Sequence, residues 1–365
     1  MSVLSFDIGT GYCAVVEGNV KKDGLEILQA AVAELPADHD AGDKTLVAPY
    51  TAGAVSEIIR SAGFKTKQAV VTANINHMMI RDFVLPDGNP KQLEGMVRNE
   101  MINNYSAANT DVIQFIKRPI QTEAGGEPAP AAETKKRLSF KSGKTGGQTG
   151  IRAISIKKDI VDSYYQLLQG LKLTPVAMDF HANAVEKLVS ANISLNDTNM
   201  KDKAYLLVDF GSSGTLVHAV AESRVFISRY IPLGLFDLDK TIADREFFSE
   251  TEAKALRKEK MDLLAEDETD VGLMKAARDF LHQWNEEIQK VAKFFVNRQG
   301  LGEIECLYLY GAGSVIRGLP EYLSAASGVS AYRLESLSGV SFKNTEDQRR
   351  LSHCLNAIGA LIRLK

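Results

Sequence analysis

The spacing of apolar positions changes period several times along the chain, and the changes divide it into elements. Residues 3–8 (VLSFDI) are rich in β-formers and run into Gly9-Thr10-Gly11, after which Tyr12 to Val16 is apolar again. That pattern predicts strand, tight turn, strand. Residues 25–33 (LEILQAAVA) read as a third strand, and Thr51 to Ala62 carries helical spacing through Val55, Ile58 and Ile59. Gln68 to Ile75 returns to strand. The segment MMIRDFVLP, residues 78–86, is a strand that Pro86 ends; Gln92 to Tyr105 is helical and Asp111 to Ile120 a strand. Residues 122–150 hold six glycines, two prolines, five basic and three acidic residues, too little apolar surface to build a core. They are expected to form a mobile loop or hairpin extension. IRAISI, residues 151–156, resumes β structure, so this loop joins two strands of one small subdomain. Asp159 to Leu171 reads as a helix and Pro175 to Phe180 as a strand.

The second half restarts the first. Ala204 to Phe210 (AYLLVDF) is a strand ending in an aspartate, followed by Gly211-Ser212-Ser213-Gly214 and the strands Thr215 to Ala221 and Arg224 to Ile231. A strand, an aspartate and a glycine turn thus occur twice, at Asp7 and at Asp209, which predicts two domains of one ancestry. From Leu238 to Gly300 the pattern is helical, with Leu281, Trp284, Ile288, Val291 and Phe295 on one stripe. Cys306 to Tyr310 is a buried-type strand entering Gly311-Ala312-Gly313. A helix starts near Leu319-Pro320, proline being favoured in the first turn, and Ser352 to Leu361 is a last apolar helix.

Composition narrows the function classes. A length of 365 residues suits two core-bearing domains, and 45% hydrophobic with 24% charged residues is ordinary for a globular protein. A net charge of −3 offers no global basic field for nucleic acid. Three distant cysteines, Cys13, Cys306 and Cys354, exclude a disulfide framework and a zinc cluster. His77, His218, His282 and His353 lack metal-ligand spacing and are expected to be structural. The start MSVLSFDIG shows no export pattern, and no apolar run approaches the ~20 residues of a membrane span. The expectation is a reduced, cytosolic protein without direct membrane insertion.

The repeated turn carries the chemistry. Gly/Ser/Thr turns between strands aim backbone N–H groups into one concavity, which suits phosphate oxygens. An aspartate ending the leading strand suits magnesium, held through water. Gly9, Thr10, Gly11 and Tyr12 form one such turn, and Gly211, Ser212, Ser213, Gly214 and Thr215 the other, with Asp7 and Asp209 as the metal candidates. A plain β-hairpin explains either copy alone; the pair, followed by Gly311, Ala312, Gly313 and Ser314, does not reduce to that. Order and spacing resemble the two phosphate motifs and the adenosine motif of actin-like ATPases. Within that superfamily the chain resembles the PilM family of type IV pilus assembly proteins, on VVTANI, MMIRDFVLP, KQLEGMVRNEMINNY, IRAISIKKDIVDSYYQLLQGLKLTPVAMDF and the terminal CLNAIGALIRLK.

The resemblance implies an α/β chain of actin-like ATPase fold: two duplicated domains, a cleft between them, and a small 1C subdomain of the kind FtsA and PilM insert in domain I. The implied division places residues 1–77 and 159–178, with the helix near 350–365, in subdomain 1A, and 78–158 in 1C. Residues 179–236 and 304–349 fall in 2A, and 237–303 in 2B. ATP and Mg2+ are the implied cofactors. FtsA-like proteins end in an amphipathic membrane helix, and this chain stops at Lys365 without one. The resemblance further implies a peptide partner, the cytoplasmic N-terminus of a PilN-like inner-membrane protein docked between 1A and 1C, and contacts with other pilus-assembly components.

There are departures from the family pattern. Ala14 stands where such proteins carry a lysine, and His181 where the joining strand offers a glutamate. In Thr251 to Lys258 the adenosine-contacting role falls to Arg257 or Lys258, unless the stretch is simply a solvated charged helix. Asp179 is the remaining candidate to orient water, so hydrolysis is expected to be slow or absent. The alternatives are an adaptor without nucleotide turnover, which Ala14 and His181 favour, and a small-molecule kinase, which needs a substrate-facing aspartate that no loop supplies.

Overall fold

The structure, a computed structural model, describes residues 2–21, 24–36, 49–120, 147–190, 194–265, 271–299 and 302–362. Of the expected loop 122–150, residues up to 146 lie outside the described residues. The chain forms two compact units. One comprises Met1–Ile75, Tyr164–Asn297 and Leu301–Lys365, the other Asn76–Ser163 with Arg298–Gly300.

The larger unit opens with β1 (Val3–Ile8), β2 (Tyr12–Lys21), β3 (Gly24–Glu34), α1 (Pro49–Ala62) and β4 (Gln68–Ala73). The smaller unit follows with β5 (Met78–Pro86), α2 (Pro90–Tyr105), β6 (Val112–Arg118) and β7 (Gln148–Ile156), and α3 (Lys158–Gly170) leads out of it. The larger unit resumes with β8 (Thr174–Phe180), α4 (His181–Ser190), β9 (Tyr205–Phe210), β10 (Thr215–Ala221) and β11 (Arg224–Ile231). Three helices come next, α5 (Leu235–Glu246), α6 (Glu250–Lys260) and α7 (Val271–Gln299). The chain continues with β12 (Cys306–Tyr310), α8 (Leu319–Ser327), β13 (Ser330–Arg333), β14 (Val340–Phe342), α9 (Thr345–Gln348) and α10 (Leu351–Leu361).

In the smaller unit the strand order is β5-β7-β6, all antiparallel, with α2 on one face. Leu93, Val97 and Met101 of α2 pack on Ile151 and Ala153. The helix starts at Pro90 rather than Gln92 because Asn89 and Gln92 cap each other reciprocally. β7 likewise begins before Ile151, since Gln148, Thr149 and Gly150 find ladder partners in Pro86, Leu85 and Val84.

The larger unit has two sheets. Their orders are β14-β3-β2-β1-β4-β8 and β11-β10-β9-β12-β13. Apart from the added β14, both run as three antiparallel strands followed by two parallel ones, so the duplication seen in sequence is a duplication of topology. β9 is buried throughout because both its faces are covered. Leu206, Val208 and Phe210 face the core built with α5 and α7, where Trp284 stacks on Phe210 at 4.3 Å. The stripe Leu281, Trp284, Ile288, Val291 and Phe295 is buried there. Tyr205 and Leu207 face the opposite way, into a second core. That core joins Tyr12, Ala14 and Val16 of the first sheet to Tyr308 and Val220 of the second, through Val185 and Leu188 of α4 and Leu355 and Ile358 of α10. Two helices thus lie between two sheets, and the halves share one interior.

Candidate functional site

β1 and β9 each carry an aspartate as the residue before their last, on the face turned toward α4 and α10. Register sets Ala14, Asp7, Thr72 and Asp179 side by side across β2, β1, β4 and β8, so the four share one face of the first sheet. In the second sheet Asp209 lies opposite Leu216 and Tyr310. Asp7 and Asp209 are both buried, and the structure brings them to one centre. His181, the first residue of α4, places Nε2 2.9 Å from Asp7 Oδ1. Asn356 of α10 donates from Nδ2 to Asp7 Oδ2 at 3.1 Å and to Asp209 Oδ2 at 2.9 Å.

Electrostatics follow from this burial. The Asp209 carboxyl is pushed up to about 6, by burial first and by the nearby Asp7 charge, while His181 and the Asn356 hydrogen bond pull the other way. Burial opposes protonation of His181, but the charge and hydrogen bond of Asp7 outweigh it and raise its pKa above the ordinary histidine value.

The turns close on the chain itself. Gly9 N–H donates to Tyr12 O at 3.0 Å, Gly11 O accepts from Leu35 N–H at 3.0 Å, and Thr10 is half-buried. In the second turn, Gly211 and Ser212 carbonyls accept from Leu235 and Phe236 N–H, the first residues of α5, at 3.0 and 2.9 Å. Ser213 O accepts from Tyr230 OH, whose oxygen would stand 2.3 Å from a Cβ on Gly214. A Cβ on Gly11 would stand 2.3 Å from Ser212 Oγ and 3.0 Å from the Phe236 ring. The two turns are therefore in contact. Gly311, at φ +83°, would set a Cβ 2.2 Å from Asp209 Oδ1, and Gly313 packs on the Phe210 ring. Ala312 is half-buried between both cores. Close packing of the chain on itself requires the glycines at 11, 311 and 313.

Several expected ligand residues are engaged elsewhere. Thr215 is fully buried, accepts from Trp284 Nε1–H at 2.7 Å and donates to Leu233 O at 2.8 Å. Ser314 Oγ–H donates to Gly311 O at 2.7 Å. Arg257 is buried and forks onto Asp239 of α5 at 2.5 and 3.0 Å. Lys258 and Lys254 reach Glu34, the latter at 2.9 Å. A pocket of about 380 Å³ lies beside them, lined by Glu34, Leu35, Pro36, Phe236, Asp239, Glu250, Thr251 and Lys254. Asp179 accepts at Oδ1 from Phe180 N–H (2.8 Å) and Asn183 Nδ2 (2.7 Å), and at Oδ2 from Lys187 Nζ (2.5 Å). Its carboxylate anchors the start of α4, where a negative charge is favoured.

The sequence reading passed over Asn356, Lys187, Glu34 and Phe236. Asn356 and Lys187 had no distinct signal, since other polar residues, Ser352 and His353 in α10 and His181, Asn183 and Glu186 in α4, share their helices. Glu34 and Phe236 had none, since only the fold brings β3 and α5 together. Three of the four oxygens of the paired aspartates are engaged by protein hydrogen-bond groups, and the fourth, Asp209 Oδ1, is buried without a hydrogen-bond partner among the described residues, so the pair keeps one carboxylate oxygen for a hydrated magnesium ion.

Duplicated sheets of this strand order, sharing two helices and meeting at paired aspartates, define the actin-like ATPase fold. The model of the family described as type IV pilus assembly protein PilM matches residues 141–361, more than half of the sequence, and the chain belongs to that family. Among solved structures, a PilM-PilN type IV pilus biogenesis complex is similar at TM-score 0.76 and 19% identity, over 99% of this chain and 98% of that one. Ethanolamine utilization protein EutJ from Carboxydothermus hydrogenoformans is similar at TM-score 0.54 and 13% identity, over 99% of this chain and 90% of that one. No curated protein sequence matches the chain. Among the described residues, no helix is long and apolar enough to cross a membrane.

Proposed function

We propose that the chain is a cytoplasmic scaffold of the type IV pilus assembly machinery, held at the inner face of the membrane by the N-terminal segment of a PilN-like protein. Family membership carries this reading. The likeness of fold to the chain of the PilM-PilN complex supports it, because it runs over 99% of this chain and 98% of that one. A short cytoplasmic segment would gain affinity from main-chain pairing and a few apolar anchors, and the ordering of that segment would keep the affinity moderate.

Nucleotide is not needed for this reading. ATP, the ligand expected from the resemblance, would meet the turns at Gly9–Tyr12 and Gly211–Thr215 and the glycines of 311–314 only after Gly11 and Ser212 separate. The adaptor reading is favoured over turnover by one observation: the carboxylate expected to orient water, that of Asp179, is held by Lys187, Asn183 and the Phe180 amide.

The test is a pull-down of the full chain on an immobilised peptide from the cytoplasmic N-terminus of the PilN-like protein of the same organism. Retention that a scrambled peptide does not give is the expected result. Absence of retention, with and without ATP, would remove the assignment.

A further inference from the structure

Helices α5 and α6 are joined by Phe247, Phe248 and Ser249, and both ends of this connector are fixed. The N–H groups of Phe247 and Phe248 both close on Ala243 O, the second at 3.1 Å. Ser249 caps α6 by exchanging hydrogen bonds with Glu252. Phe247 is nevertheless 95% exposed, the highest value of any large apolar side chain among the described residues, and Phe248 is 44% exposed.

The backbone adds a second cost. Phe247 holds φ +57°, the left-handed conformation that glycine or asparagine ordinarily supplies at a helix end. The other described non-glycine residues with positive φ are serine, lysine, asparagine, aspartate or glutamate, all polar. At position 247 a phenyl ring strains its own backbone and stays in water. A single apolar residue at the surface is ordinary. A strained aromatic beside a second one, on a connector fixed at both ends, is a preformed anchor for another molecule.

Charge says what covers it. Residues 244–252 hold four carboxylates, Asp244, Glu246, Glu250 and Glu252, none of them buried. Against them stands one cation, Arg245, whose guanidinium is paired with Asp279 at 2.6 Å. Negative charge around the rings repels an anionic lipid surface, nucleic acid and the same tip of a second copy. It attracts lysine and arginine.

We infer that the Phe247-Phe248 tip is a docking site for a second protein, one that offers an apolar slot rimmed by lysine or arginine. The rings anchor the contact and the carboxylates steer it. The inference does not rest on the membrane partner proposed above, and the two fail separately.

The probe is a benzophenone side chain in place of Phe247 in the full chain, illuminated in the cells that make the protein, with the adduct read by mass spectrometry. A peptide of another protein with net positive charge is the expected adduct, and immobilised wild-type chain should then retain that protein at low salt. Retention should fall roughly tenfold or more with Phe247→Asn, and also with Asp244→Lys to a smaller extent. Phe247→Asn should melt no lower than the wild type, because asparagine tolerates the left-handed conformation. It should hold the PilN-like peptide to the same extent as the wild type. An adduct with lipid, with a second copy of this chain or with a peptide of net negative charge would overturn the inference, as would no adduct. So would retention unchanged by Phe247→Asn, a lower melting temperature for that variant, or weaker holding of the PilN-like peptide, since the tip would then be structural or part of that other site.

Discussion

Asp209 carries a pH dependence whose sign is fixed by its burial. Its carboxyl titrates at about 6 in the folded chain against 3.8 when unperturbed. A raised pKa contributes stability that is fully present below the unfolded value and lost as pH rises through the folded one. Above pH ~6 the ionised group therefore costs stability, by about 3 kcal/mol at most for a two-unit shift. Asp209→Asn keeps the shape and an oxygen able to accept from Asn356. It should melt higher than the wild type at pH 8 and lose that advantage near pH 4.5. An equal or lower melting temperature at pH 8 would mean that His181 or another neighbour needs the negative charge. The raised pKa of His181 works in the same direction, with its contribution lost as pH climbs past the ordinary histidine value.

Between elements, α10 approaches α4 closely. A Cβ on Gly359 would stand 2.3 Å from the Ala184 carbonyl oxygen and 2.7 Å from its carbon, so backbone meets backbone there. Gly359→Ala should push the helices apart at a cost of about 1–3 kcal/mol, read as a lowered midpoint in chemical denaturation. A variant as stable as the wild type would show that the contact is compliant. This contact also explains what was legible in the sequence. Strands β1, β2, β9, β10 and β12 were readable because their apolar runs are continuous and their turns carry glycine. The terminal helix was readable as an element, but Asn356 was not readable as a site residue, since its two partners lie in other elements. The glycine motifs drew attention to the right places. Their roles at 11, 311 and 313 came from packing against Ser212, Asp209 and Phe210, which no spacing rule contains. Thr215 and Arg257 looked ligand-facing for a similar reason, because a sequence does not show that Trp284 and Asp239 are waiting for them.

For the larger unit as a whole, two kinds of connection join the halves, and magnitudes rank them. The ion pairs from Glu34 to Lys254 and Lys258 lie at the surface, with Glu34 53% exposed, and such pairs contribute roughly 0.2–1 kcal/mol each at low salt. Glu34→Gln removes both pairs and should therefore lower stability by no more than about 2 kcal/mol, an effect that ~1 M salt removes. A larger loss, insensitive to salt, would assign Glu34 a structural role beyond these pairs. The shared interior around α4 and α10 outweighs this link, since full burial of a single leucine is already worth about 1.5–3 kcal/mol. That interior also sets a timetable. Asp7 and Asn356 are 349 positions apart, so at ribosomal rates the first strand is made on the order of tens of seconds before the side chain that completes its centre. Until α10 is made, the core shared by the two halves lacks one of its two helices, whereas the core of the smaller unit and that built with α5 and α7 hold all their residues earlier. The chain therefore matures in stages, and the joining of its halves comes last.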